Sequence, residues 1–184
     1  MRVFRSAVLY TALALGANAA LAEGAALDAL RTGDMAKLAL SADPAPVPAA
    51  DLVDETDAPR TLDEYRGKYL LVNFWATWCA PCRKEMASLD RLQGALGGDR
   101  FAVVTIATGP NPLPAIRKFF EEEGVTRLPM LRDPRQRFAS AMGVLGLPVS
   151  VLVDPEGREI GRLMGEAAWD GPEAQALISA MIAP

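Results

Sequence analysis

The sequence contains no histidine and only two cysteines among its 184 residues. Without histidine, no catalytic triad can use an imidazole base. Structural zinc sites need four Cys or His ligands, so the chain cannot supply one from these residue types. The formal net charge is −4, which is not the basic excess expected of a protein that binds nucleic acid. We therefore predict no metal, no cofactor and no nucleic-acid partner.

Both cysteines lie in one short stretch, Trp78 to Cys82. It follows an apolar run, Leu70 to Trp75, and precedes an amphipathic helical pattern, so it marks a strand-to-helix junction. At the start of a helix, unpaired amides and the positive end of the dipole favour a thiolate at Cys79. Pro81 fits the first helical turn, where its missing N–H costs nothing. The spacing indicates reversible dithiol–disulfide exchange.

Two other roles for the cysteine pair are disfavoured by the sequence. A purely structural disulfide between Cys79 and Cys82 would close a loop too short to restrict the unfolded chain much. Covalent haem attachment requires a histidine directly after the second cysteine. Arg83 occupies that position.

The N-terminus has the pattern of an export signal. Arg2 and Arg5 precede an apolar run from Ala7 to Ala22, which ends in a small-x-small sequence before Glu23. The run is short for a bilayer, which needs about 20 residues. We expect it to be cleaved, with retention as a membrane anchor as the alternative. In either case the cysteine pair would work in an oxidising compartment, where disulfides persist.

The remaining chain divides into a linking segment and one domain. We assign 1–22 to the signal peptide or N-terminal membrane anchor, 23–49 to a Pro/Ala-rich linker or short helix, and 50–184 to the folded domain. Residues 23–40 have modest helical spacing of apolar residues, which leaves a short helix on the domain and a mobile linker both open. Pro44, Pro46 and Pro48 alternate with small residues and predict a stiff extended spacer.

Strand and helix patterns alternate along the domain, which predicts an α/β fold with a central mixed sheet. A small hairpin or irregular edge is expected at 51–59. Strands are predicted at 69–76, 101–107, 128–131, 149–153 and 158–164. Helices are predicted from the cysteine stretch to Leu96, at 112–123 and 135–142, and from Asp170 onward.

Three segments together resemble one protein family. The stretch Val72 to Glu85, Val-Asn-Phe-Trp-Ala-Thr-Trp-Cys-Ala-Pro-Cys-Arg-Lys-Glu, resembles the active site of the TlpA/ResA group of exported thioredoxin-like proteins. Gly146-Leu147-Pro148 resembles the cis-proline loop of that group, and Gly109 to Met142 resembles its extra insertion. The resemblance implies a thioredoxin-like three-layer sandwich with a TlpA-type insertion.

The resemblance also implies roles for single residues. Cys79 is expected to be the exposed nucleophile and Cys82 to resolve the mixed disulfide. Glu85 matches an acidic residue that tunes cysteine pKa values or relays a proton, although an exposed helix carboxylate is the alternative. Asn73 stands where classical thioredoxins carry a buried aspartate, which favours Glu85 as the proton acceptor. The substrate groove is expected to contain four residues: Trp78, Pro81, Leu147 and Pro148.

The expected function is that of a periplasmic thiol:disulfide oxidoreductase acting as a reductant. The resemblance implies protein substrates with disulfides, such as apocytochrome c or copper-site proteins of respiratory oxidases, and recharging by a membrane electron-donor protein. A DsbA-like oxidant remains an alternative, because Ala80-Pro81 does not fix the potential. A Sco-like copper-binding module is disfavoured by the lack of histidine. A peroxidase is disfavoured because Ala76 stands where the peroxidase motif has threonine.

Overall fold

The computed structural model describes residues 27–183, and its central feature is one eight-stranded mixed sheet. The strands are β1 (Ala39–Pro46), β2 (Leu52–Val53), β3 (Pro59–Arg60), β4 (Tyr69–Trp75), β5 (Phe101–Thr108), β6 (Leu131–Asp133), β7 (Val149–Val153) and β8 (Arg158–Met164). Their order across the sheet is β1-β8-β7-β4-β5-β6-β2-β3. The α-helices are α1 (Ala80–Leu96), α2 (Leu113–Glu123), α3 (Arg137–Ala141) and α4 (Pro172–Met181). Two 3-10 helices cover Gly33–Lys37 and Leu62–Tyr65.

Strand β4 lies in the middle of the sheet and leads directly to the cysteine stretch. It pairs in parallel with β5 and antiparallel with β7. Helices cover both of its faces, which explains why the strand is a nearly continuous apolar run. Successive side chains point to opposite faces, so Asn73 shares a face with Leu71 and Trp75.

The helices form a layer on each face of the sheet. On one face, α1, α2 and α4 enclose a core that includes Trp75, Met86 and Leu177. On the other face, α3 and the 3-10 helix at Leu62–Tyr65 pack over a second core that includes Phe74 and Phe138. This arrangement confirms the predicted three-layer α/β sandwich with a mixed sheet.

Helix α1 follows the predicted pattern closely. Met86, Leu89 and Leu92 are fully buried at a spacing of three residues, which places them along one side of the helix. Gly97 caps the helix through its N–H, which donates to the carbonyl of Gln93. The helix therefore fixes the orientation of its first turn, which carries the cysteines.

Two predicted elements in the insertion are shifted. The strand predicted at 128–131 lies at Leu131–Asp133, since Pro129 has no N–H to offer a sheet ladder. The helix predicted at 135–142 is shorter, at Arg137–Ala141. Its start is set by the Asp133 carboxylate, which accepts hydrogen bonds from the backbone N–H groups of Arg137 and Ala139.

The segment before residue 50 differs from the predicted linker. Residues 39–46 are not a free spacer but an edge strand, because β1 pairs with β8 from Ala39 opposite Arg162 to Pro46 opposite Arg158. Met35 and Leu38 are buried in the core beside α1 and α4. The apolar spacing there reflects packing onto the domain, and the mobile-linker alternative is wrong for residues 27–38.

The predicted signal segment, residues 1–22, lies outside the described residues. Among residues 27–183, no helix combines the length and apolar character needed to cross a membrane.

Candidate redox site

Cys79 and Cys82 form a disulfide at the start of α1. The S–S distance is 2.00 Å and the two Cα atoms are 5.3 Å apart. Cys79 is the N-cap residue, and its Sγ accepts a hydrogen bond from the backbone N–H of Cys82 at 3.3 Å. The first sulfur therefore lies where helix amides stabilise negative charge, as the sequence indicated. Pro81 lies in the first turn of the helix. Cys79 is only 6% exposed and Cys82 is fully buried in the disulfide form, so the expectation of an exposed Cys79 is wrong for this state.

The loop before the disulfide is held by Asn111, a residue that no sequence pattern connects with the cysteines. The Oδ1 of Asn111 accepts hydrogen bonds from the backbone N–H of Thr77 at 2.7 Å and from its hydroxyl at 3.0 Å. The Nδ2 of Asn111 donates to the carbonyl of Thr108 at 2.8 Å. Asn111 therefore ties the end of β5 to the residue two before Cys79. Its position between two prolines indicated only a loop.

The cis-proline loop lies beside the end of β4. The Leu147–Pro148 peptide bond is cis, as the resemblance implied. Val149 pairs with Phe74, so the antiparallel register places Pro148 opposite Trp75. Of the four predicted groove residues, Trp78 and Leu147 line a common cleft. Pro81 and Pro148 do not line this cleft.

Glu85 is buried below the cysteines on the sheet side of α1. Glu85 is only 3% exposed. One carboxylate oxygen accepts a hydrogen bond from Asn73 Nδ2 at 2.8 Å, and the other accepts one from the backbone N–H of Ala167 at 3.1 Å. The alternative of a solvated helix carboxylate is wrong. The placement follows from the helical spacing, which puts Glu85 one turn after Cys82.

Burial raises the pKa of Glu85 from 4.5 to about 7. Loss of solvation is the largest cause, and the nearby charge of Glu166 adds to it. The hydrogen bonds from Asn73 and Ala167 act in the opposite direction, because they stabilise the carboxylate. A carboxyl group with a pKa near neutrality can both accept and release a proton under ordinary conditions.

Asn73 and Ser150 form a polar pair beneath Glu85. They face each other across the β4–β7 ladder, and Asn73 Nδ2 donates to Ser150 Oγ at 2.9 Å as well as to Glu85. The Oδ1 of Asn73 is buried without a hydrogen-bond partner among residues 27–183. Ser150 was not predicted, although a single polar residue within the apolar strand Val149–Val153 was a usable signal.

Comparison with known proteins places the chain in a family. The model of the AhpC/TSA family matches residues 43–158, which is more than half of the chain. The chain belongs to the AhpC/TSA family. Within that match lie both cysteines, Glu85 and the cis-proline loop.

Relatives of this chain include proteins named thiol-disulfide oxidoreductase ResA. The protein from Geobacillus thermodenitrificans is 34% identical over 97 residues, which cover 53% of this chain and 55% of the relative. The protein from Bacillus thuringiensis is 30% identical over 105 residues, covering 57% of this chain and 60% of the relative. The matched part thus spans less than two thirds of these relatives.

A solved structure supports the thioredoxin-like fold of this AhpC/TSA family member. The crystal structure of a thiol:disulfide interchange protein of the thioredoxin family from Chlorobium tepidum superposes with a TM-score of 0.64. The two sequences are 25% identical, and the match covers 78% of this chain and 99% of the other. The fold and the resemblance to thioredoxin-like proteins are therefore confirmed.

The Glu85 environment also depends on residues that precede the family match. The backbone N–H of Ala168 donates to the Asp34 carboxylate at 2.9 Å, and Lys37 Nζ donates to the carbonyl of Glu166 at 2.7 Å. These two contacts hold the loop that carries Ala167, the hydrogen-bond donor to Glu85. The N-terminal 3-10 helix is therefore part of the support of the site.

Proposed function

We propose that this protein is a thiol:disulfide oxidoreductase that reduces disulfides in substrate proteins through Cys79 and Cys82. The observation that carries the proposal is the position of Cys79 at the N-cap of α1, with its sulfur accepting a backbone N–H from the residue that is its disulfide partner. This arrangement stabilises a thiolate on the first sulfur and keeps the second within bonding reach.

The reaction is a pair of thiol–disulfide exchanges. The Cys79 thiolate attacks one sulfur of the substrate disulfide, forming a mixed disulfide and releasing the other substrate sulfur as a thiolate. Cys82 then loses its proton and attacks Cys79 Sγ, which releases the second substrate sulfur. The protein ends as the Cys79–Cys82 disulfide, and the substrate gains two electrons and two protons as a dithiol.

Glu85 is proposed to accept the proton that Cys82 loses in the second step. Its carboxyl group is shielded from water, and its pKa of about 7 is suited to proton transfer near neutrality. The hydrogen bonds from Asn73 and Ala167 hold it in one orientation. In the reduced protein, the charge of Glu85 would also oppose thiolate formation nearby.

The proposed direction is reduction, with oxidation in the manner of DsbA as the second candidate. The presence of Glu85 supports reduction, because a neighbouring carboxylate disfavours the thiolate form and so makes the dithiol easier to oxidise. A strong oxidant instead gains from stabilising its thiolate. A copper-binding role of the Sco type has no support from the sequence, which contains no histidine ligand.

The proposed setting is the periplasm, reached through the signal-like segment at residues 1–22, whether it is cleaved or kept as an inner-membrane anchor. The proposed substrates are apocytochrome c or copper-site proteins of respiratory oxidases, and a membrane protein would return electrons to the cysteines. These assignments rest on the family resemblance and on the N-terminal sequence pattern.

The central test measures the potential and the direction together. The protein is equilibrated with glutathione or dithiothreitol buffers, and the reduced fraction is followed by thiol labelling. The potential of DsbA is about −120 mV, and we expect the potential of this protein to be well below that value. We also expect the reduced protein to reduce a disulfide-bonded apocytochrome c peptide rapidly. A potential near that of DsbA would replace the reductase proposal with the oxidant. If the double variant Cys79→Ser, Cys82→Ser reduced the peptide as fast as the wild type, the proposed function would be refuted.

A further inference from the structure

Trp169 is a fully buried residue whose indole nitrogen lacks a regular hydrogen bond. It is 0% exposed and belongs to the core that α1, α2 and α4 enclose. Within residues 27–183, its Nε1 has no hydrogen-bond partner of ordinary geometry. A buried indole N–H usually finds an acceptor, because an unpaired buried donor costs free energy. The next question is therefore which acceptor lies beside it.

The backbone around Trp169 is fixed against the turn of α1 that carries Glu85. The backbone N–H of Ala167 donates to the Glu85 carboxylate at 3.1 Å. The backbone N–H of Trp169 donates to Ser88 Oγ at 3.2 Å, and Ser88 Oγ donates to the carbonyl of Glu85 at 2.7 Å. Residues three apart lie on one side of a helix, so Glu85 and Ser88 face the same loop. Two separate contacts thus hold Trp169 beside Glu85.

The Glu85 carboxyl group can accept a further hydrogen bond. A carboxylate offers about four lone-pair positions, and within residues 27–183 only Asn73 and Ala167 donate to it with ordinary geometry. The Trp169 indole N–H lowers the pKa of Glu85, which shows that it acts on this carboxyl group. Because Nε1 does not reach ordinary bonding geometry, the contact is long or poorly aligned. Hydrogen bonds to a charged acceptor are shorter and stronger, so the contact should tighten when Glu85 ionises.

We propose that Trp169 is a positioning residue for Glu85, with an indole N–H that bonds to the ionised carboxylate and loosens when Glu85 takes up a proton. The inference rests on the proposed function, in which Glu85 accepts the proton of Cys82. Trp169 then sets how strongly Glu85 holds that proton, because a bond made to the ionised form favours its release. Trp169 lies outside residues 43–158, the part that matches the family model. The role is therefore argued from the contacts of this chain alone.

Other charged groups also face the Glu85 carboxyl group. Glu166 raises the pKa of Glu85 by its negative charge. Six charged residues line a polar cleft of about 340 Å³ together with Glu85: Asp34, Lys37, Lys84, Arg91, Glu166 and Asp170. These residues are exposed or half-buried, so salt screens their charges. A hydrogen bond from an indole that is closed off from water should persist in salt, which separates the two effects.

The first test measures the pKa of Glu85 in the oxidised full-length protein by NMR, with glutamate carrying a ¹³C-labelled side-chain carboxyl. The Glu85 resonance is identified by its loss in Glu85→Gln, and in the wild type its midpoint should lie near pH 7. Trp169→Phe keeps an aromatic ring but removes the N–H, and it should raise the midpoint by about one pH unit at both low and high salt. Tyr65→Phe is the matched control, because it removes a polar atom from an aromatic side chain that packs against the other core. It should leave the midpoint unchanged.

The second test does not depend on the folding of Trp169→Phe. The indole ¹⁵N–¹H resonance of Trp169 is assigned in the wild type through its contacts and followed against pH. It should move with the same midpoint as the Glu85 carboxyl resonance. In Glu85→Gln, it should stay still over the same pH range, because the acceptor no longer ionises.

The outcomes separate this inference from the proposed function. An unchanged Glu85 midpoint in folded Trp169→Phe, or a Trp169 indole resonance that does not follow the titration of Glu85, would overturn the inference and leave the proposed function standing. Reduced wild-type protein that failed to reduce any disulfide would overturn the proposed function instead. The two NMR titrations use the oxidised protein, so they do not depend on that reaction.

Discussion

The buried carboxyl group of Glu85 makes the stability of the oxidised protein depend on pH. Its pKa in the folded protein is about 7 and its ordinary value is 4.5. Between these two values, the folded protein binds a proton that the unfolded chain has lost. The free energy of unfolding must therefore fall as the pH rises from about 4.5 to about 7. Outside that window, the contribution of Glu85 to the free energy of unfolding should not change with pH.

The structure gives the size of this effect. The difference between a pKa of about 7 and 4.5, at about 1.4 kcal/mol per pKa unit, corresponds to about 3 kcal/mol. Most of it, about 2 to 3 kcal/mol, falls between about pH 5 and pH 8. Glu85→Gln removes the titrating group. In this variant, the side-chain amide of Gln can donate to Asn73 Oδ1 once the Asn73 amide group rotates by 180°. Asn73 Oδ1 is available for this bond because it has no other partner within residues 27–183.

The assay is urea unfolding of the oxidised wild type and Glu85→Gln at pH 5 and pH 8. The variant should gain about 2 to 3 kcal/mol relative to the wild type between these two pH values, whatever its offset at pH 5. Glu122→Gln changes an exposed carboxylate on α2 and serves as the matched control. Differences between wild type and Glu85→Gln that are the same at both pH values would refute the desolvation argument.

Three further predictions concern the cysteines and their support. In the reduced protein, iodoacetamide should label Cys79 before Cys82, as read by peptide mapping, and preferential labelling of Cys82 would reverse the assigned roles. Glu85→Gln should lower the pKa of at least one cysteine, because it removes a negative charge that opposes the thiolate; superimposable thiolate absorbance curves against pH would contradict the proton-acceptor role. Asn111→Ala should lower the stability of the oxidised protein by about 1 to 3 kcal/mol in urea unfolding, since it leaves Thr77 without its buried partner. A loss within about 0.5 kcal/mol, the range of ordinary surface changes, would show that this contact is dispensable.

The sequence predicted the parts of the fold that are set by local patterns. The apolar run before Cys79 became the central strand, and the amphipathic pattern after it became α1, with Met86, Leu89 and Leu92 on its buried side. These elements carry strong periodic signals, and their neighbours reinforce them. Residues 39–46 were misjudged because prolines indicate an extended spacer by themselves, whereas the partner that makes them a strand, β8, lies more than 100 residues later in the chain.

In the candidate site, too, some residues could be predicted from local sequence patterns and others could not. The place of the cysteines at a helix start follows from their spacing, and that of Glu85 follows from helix geometry. Asn111 and Ala167 reach the site from distant segments, so no local pattern connects them with Cys79 or Glu85. Their contacts depend on how the insertion and the loop after β8 pack. The pKa of Glu85 is likewise a property of the assembled core, because its largest cause is loss of water around the carboxylate.

Both edge strands of the sheet within residues 27–183 are poorly suited to pair with an incoming strand. One edge is β1, which contains Pro44 and Pro46, and the other is β3, which has two residues and begins with Pro59. Proline has no N–H to donate, and a two-residue strand is too short to template a ladder, so within residues 27–183 both edges are poor templates for extension of the sheet. For a protein proposed to handle partly unfolded chains, this matters directly: a client can be held beside the disulfide without being drawn into the sheet.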